Sequence, residues 1–130
     1  MRSLAAFALG LLAACGGGSP AGRSVVSNGG TYTVTFETMP ATIPMNEPFT
    51  VVFKASSKSG VSVEGAQLEI DARMPAHGHG MNRAPKLSKT PDGSTRAEGM
   101  LFHMPGHWEM YFDITQGGRS ERAQVDVDLK

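Results

Sequence analysis

The sequence predicts an all-β domain of two antiparallel sheets packed face to face over one core, and three observations carry that reading. From Thr31 onward, apolar and polar residues alternate in short runs, the period of a half-buried strand. Gly, Pro, Asn and Ser separate the runs, as expected of turns that end strands. No stretch repeats its apolar residues at the spacing of an amphipathic helix.

Each element follows from the alternation. Tyr32, Val34 and Phe36 share one face of a first strand, and Pro40, Pro44 and Pro48 mark the turn-rich stretch after it. Phe49, Val51 and Phe53 line a second strand, and Leu68, Ile70 and Ala72 a third. The run from Arg96 to His103 presents Met100 and Phe102 to one side; Trp108, Met110, Phe112 and Ile114 line the next strand. After the turn Gln116-Gly117-Gly118, Val125, Val127 and Leu129 form the last apolar face. Six to seven such strands in a short chain favour an immunoglobulin-like sandwich. An up-and-down barrel is second, because periodicity does not fix strand order.

Residues 1–14 read as an export signal. Arg2 precedes an apolar run from Leu4 to Leu12 that only Gly10 interrupts, too short to span a bilayer. The segment Leu12-Ala13-Ala14-Cys15 resembles the lipobox of bacterial lipoproteins, in which the cysteine is acylated before cleavage. Several acyl chains, palmitate among them, would hold the mature protein to a membrane through Cys15, whereas one chain binds only marginally. The alternative is an ordinary secretory signal with an incidental cysteine. Residues 15–30, opening Gly16-Gly17-Gly18-Ser19-Pro20, read as a flexible tether, and 31–130 as the folded domain. Gly16 is not the aspartate that retains many Gram-negative lipoproteins in the inner membrane. In a Gram-negative source the expected location is therefore the outer membrane, facing the periplasm.

Composition narrows the chemistry. Cys15 is the one cysteine, so the domain has no disulfide and no thiolate ligand, and a soft metal ligand would have to be methionine sulfur. A formal net charge of +0 with no basic run excludes an electrostatic nucleic-acid binder.

All four histidines fall in two short windows, with five of the eight methionines in or beside them. One window is Met74-Pro75-Ala76-His77-Gly78-His79-Gly80-Met81; the other is His103-Met104-Pro105-Gly106-His107, flanked by Met100 and Met110. Imidazole and thioether together suit copper, the thioether favouring Cu(I). If Met104-Pro105-Gly106 is a hairpin turn, His103 and His107 oppose each other on neighbouring strands with Cβ atoms about 4.5–5.5 Å apart. His77, His79 and Met81 could converge from the glycine-rich loop. The plain reading makes Met74, Met100 and Met110 core filler and the loop histidines exposed. Whether the two windows meet is left open by the sequence.

The motif Met74-Pro75-x-His77-Gly78-His79-Gly80-Met81, followed by Gly99-Met100-x-Phe102-x-Met104-x-Gly106-x-Trp108, resembles the YtkA-like domain, related to the periplasmic part of FixH proteins. The resemblance spans Phe36 to Val127. It implies an immunoglobulin-like sandwich of the cell envelope, linked through genetic context with copper handling and copper-oxidase assembly. By motif position it implies His77, His79, Met81 and Met104 as ligand candidates; His103 and His107 rest on the hairpin argument. FixH proteins carry a transmembrane helix where this chain has a predicted lipid anchor.

The expected function is a copper-binding module that buffers metal or passes it to an envelope partner. Zinc comes second, and would require that the four histidines meet without the methionines. The competing reading is a metal-free interaction module of an envelope assembly. No enzyme is expected: a nucleophile elbow, a HExxH helix and an acid pair are missing, and Glu98, Glu109 and Asp113 read as solvated strand-face residues.

Overall fold

The computed structural model describes residues 22–59 and 63–130, so the predicted signal, Cys15 and the first part of the tether lie outside the described residues. In chain order the strands are β1 (Arg23–Val26), β2 (Tyr32–Met39), β3 (Phe49–Ser57), β4 (Gln67–Met74), β5 (His79–Gly80), β6 (Lys86–Lys89), β7 (Thr95–Met100), β8 (Gly106–Gln116) and β9 (Arg119–Leu129). One antiparallel sheet has the order β1-β2-β3-β7-β6, the other β5-β4-β8-β9. The expected two-sheet sandwich is what forms.

The six strands predicted from an apolar face are all present as β2, β3, β4, β7, β8 and β9. The three that the sequence did not reveal are sheet edges. β1 and β6 bury no residue, and β5 is two residues long, so none has an apolar face to give a period-two signal. β1 lies within the stretch read as tether and pairs with β2.

The inward faces meet in one core. Val34, Phe36, Val51 and Phe53 from one sheet pack on Ala72, Met110, Phe112 and Ile114 from the other. Phe112 sits between Phe36 and Phe53, with ring centroids 5.2 and 4.9 Å away, and each such buried aromatic stabilises the fold by about 1.5–3 kcal/mol. Met74, Met100 and Met110 are almost fully enclosed there, as the plain reading held.

Two features fix what happens at the ends. At one end the Glu121 carboxylate on β9 is enclosed by the β1–β2 turn, accepting from the Ser27 hydroxyl (2.7 Å) and the Thr31 amide (3.2 Å). At the other end the chain crosses from sheet to sheet between β7 and β8. There a bulge skips Gly99, since Phe49 pairs with Met100 and Thr50 with Glu98. Beyond it Phe102, fully buried, wedges between Phe49 (5.0 Å, edge to face) and Trp108 (4.6 Å, stacked).

That crossover corrects the hairpin expectation. β7 pairs with β3 and β6, β8 with β4 and β9, so Met104-Pro105-Gly106 does not join adjacent strands. The residue opposite His107 is Asp128 on β9, not His103.

Candidate metal centre

The first window is built by a tight reversal. The buried Met74 side chain pins the end of β4, a 3-10 turn follows over Pro75–His77, and Gly78 closes it in the left-handed region at φ 66. The Gly78 amide donates to the Met74 carbonyl at 3.1 Å, and the chain returns along β4 with His79 beside Met74. His79 is thereby drawn to half-burial, while His77 stays exposed on the turn. The Met81 amide donates to the Ala72 carbonyl (3.3 Å), and its half-buried side chain packs against the core.

The second window is held from below by Trp108, whose indole N–H donates to the Met104 carbonyl at 3.0 Å. Met104 is half-buried against the core. Gly106 lets β8 start close to β4: at φ 126, a Cβ there would lie 2.9 Å from the Met74 methyl. His103 has its ring 5.5 Å from Trp108, edge-on, and its Nδ1 is buried without a hydrogen-bond partner among the described residues. A buried polar atom left unpaired costs about 1–3 kcal/mol, so an unmet ring nitrogen marks a position where a ligand would be stabilising.

The two windows meet. The His79 and His103 ring centroids are 5.4 Å apart, and His77 stacks on His79 at 5.7 Å. Trp108 lies beneath both inner rings, its centroid 6.5 Å from that of His79. The three imidazoles form a row rather than a closed triangle, since their nitrogens are not among the described groups that converge within 4.8 Å. A surface cavity of about 260 Å³ opens beside His79, lined also by Arg73, Met74, Pro75, Gly78, Glu109 and Tyr111. The arrangement offers two half-buried imidazoles, an exposed third, and thioethers on the same two segments, a donor set suited to a soft cation.

His107 takes another direction. It lies on the outer face of β8, where its Nδ1 is 2.7 Å from Asp128 and its Nε2 3.9 Å from Asp126. The hydrogen bond to Asp128 raises its pKa above the usual imidazole value, and Asp126 and Glu109 add to that shift. On the same face the Tyr111 hydroxyl donates to Glu109, which raises the phenol pKa. His77, His79 and His103 are thus gathered at one end of the sandwich; Met104 is the chain neighbour of His103, Met81 lines a separate surface cavity with Ile70, Asp71 and Arg83, and His107 is not part of the row. Sequence reasoning missed Trp108 as the floor of the site, because its position in the apolar pattern already accounted for it as core.

Fold and site together define a small two-sheet β-sandwich domain with a histidine- and methionine-rich end. The YtkA-like family model matches residues 26–113, a span that contains both windows, and the chain belongs to that family. No curated protein and no solved structure matches it.

Proposed function

We propose that this YtkA-like chain is a lipid-anchored envelope protein that binds copper, Cu(I) in preference, to buffer it or hand it to a receiving envelope protein. The observation that carries the reading is the 5.4 Å approach of His79 and His103 from separate windows, with the His103 Nδ1 buried and unpartnered. His79 and His103 would be the core ligands, Met81 or Met104 the thioether donor, and exposed His77 the ligand first released to a partner. Bound copper would supply an exchangeable soft cation; the protein supplies nitrogen and sulfur donors on two loops that the Trp108 and Met74 side chains hold in place. His107 faces away, so the four-histidine arrangement that would favour zinc at this end does not support that metal. The reading assigns no reaction.

Anchoring through acylated Cys15, and an outer-membrane site facing the periplasm in a Gram-negative source, belong to the same proposal and rest on the sequence of residues 1–16. Among the described residues no helix is long and apolar enough to cross a membrane.

The test is titration of the full chain with Cu(I) against a competing chelator. The wild type is expected to bind with a dissociation constant below about 1 μM, and His79→Ala and His103→Ala each to weaken it at least about tenfold. Binding no tighter than micromolar, or affinity in both variants unchanged from wild type, would contradict the reading and favour the metal-free interaction module.

A further inference from the structure

We propose a second cation site, on the outer face of the β4-β8-β9 sheet, in which His107, Glu109 and Asp126 hold a borderline divalent cation of the Zn(II) type. It is chemically distinct from the histidine and methionine row and does not depend on it. One imidazole nitrogen of His107 and one carboxylate oxygen each of Glu109 and Asp126 all lie within 4.8 Å of one another. Metal–nitrogen and metal–oxygen bonds of about 2.0–2.2 Å need only small side-chain rotations from that starting point.

The imidazole is already oriented for ligation. Its Nδ1 lies 2.7 Å from Asp128 and its Nε2 faces Asp126, 3.9 Å away, so a cation displacing the Nε2 proton would find that nitrogen turned toward the carboxylates. A carboxylate behind a histidine in this way fixes the tautomer of metal-ligating imidazoles and raises their basicity. Glu109 is steadied by the Tyr111 hydroxyl, and Asp126 by the Gln124 amide, which donates at 2.9 Å to the same Oδ1 that faces the His107 Nε2.

Strand register gives an independent reason to expect a cation. Along the outer β8–β9 rungs, His107 faces Asp128 and Asp113 faces Arg122, both complementary pairs, but Glu109 directly faces Asp126. Like charges opposed across an antiparallel pair are destabilising, and Asp128 adds a third carboxylate beside them. Arg73, across from Glu109 on β4, points to Asp71 at 3.9 Å, and Arg122 forms its ion pair with Asp113 at 2.7 Å. A divalent cation among His107, Glu109 and Asp126 would neutralise the excess. With nitrogen and carboxylate donors and no thioether, the set selects a borderline or hard ion over Cu(I).

Zn(II) titration by calorimetry on the full chain carrying His77→Ala, His79→Ala and His103→Ala removes the other row from the readout. One equivalent is expected to bind more tightly than about 0.1 mM; adding His107→Ala or Asp126→Asn is expected to weaken it at least about 100-fold, and Asp128→Asn about tenfold. Amide resonances of the wild-type chain give a readout independent of those variants: Zn(II) is expected to move those of residues 107–109 and 126–128. Binding weaker than about 1 mM, affinity indifferent to His107→Ala, or shifts confined to residues 77–81 and 103–104 would overturn the site.

Discussion

Glu121 illustrates how a single side chain sets pH dependence at a distance from the metal centre. The bonds it accepts, from Thr31 first and then Ser27, hold its pKa below the usual glutamate value. A carboxylate depressed in the folded state stabilises the fold above its unfolded pKa of about 4.3, and that contribution is lost as pH falls through the folded value. Glu121→Gln is therefore expected to lower the Tm at pH 7, with the gap to wild type closing as the pH is brought down to about 3. A gap that stays constant over that range would show that the carboxylate charge is not the stabilising element. At this scale the sequence was partly legible. Met74, Met100 and Met110 read as core because they fall on apolar faces, and they are core. The partners of His103 and His107 were not legible. Which residue faces which depends on the strand order, and alternation carries no information about that.

At the scale of elements, strands were legible in proportion to what they bury. β2, with a strictly alternating apolar face, is unmistakable from sequence, whereas β6, the run Lys86–Lys89, is exposed throughout and is defined by its backbone pairing to β7 with one side-chain bond from Lys89 to Thr95. The β7–β8 connection was misread as a hairpin because Met104-Pro105-Gly106 has turn composition; the bulge at Gly99 and the burial of Phe102 redirect it into a crossover instead. This crossover decides the geometry of the proposed copper site, since it swings His103 toward His79. Gly106 is its tightest point. Gly106→Ala would force a side chain into φ 126 and to 2.9 Å from the Met74 methyl. It is expected to lower unfolding free energy by about 1–3 kcal/mol in denaturant titrations, a strain cost usual for such backbone positions. The copper affinity should fall in parallel, because Met74 and Gly106 flank the two windows. Unchanged stability and affinity would show that the crossover is not under this steric constraint.

For the whole molecule, the two ends of the sandwich divide the labour. One end is tied by the Glu121 hydrogen bonds between β9 and the β1–β2 turn; the other carries loops whose side chains are histidine and methionine. The fold class and family were legible because a core face and a short motif are local properties of the chain. The meeting of the windows, which turns two local motifs into one candidate centre, is a property of the assembled sheets. The proposed lipid on Cys15 adds to this picture by consuming the chain's one thiol, which leaves imidazole and thioether as the soft and borderline donors of the domain. The central claim is that one copper ion joins both windows. The most direct test is an amide-resolved NMR titration of the full chain with a single equivalent of Cu(I), which is diamagnetic and leaves all resonances observable. Simultaneous, saturating shifts of residues 77–81 and 103–104 at one equivalent, with the Trp108 indole N–H moving in step, are predicted. Shifts in one window alone, or saturation of the two windows at different equivalents, would contradict it.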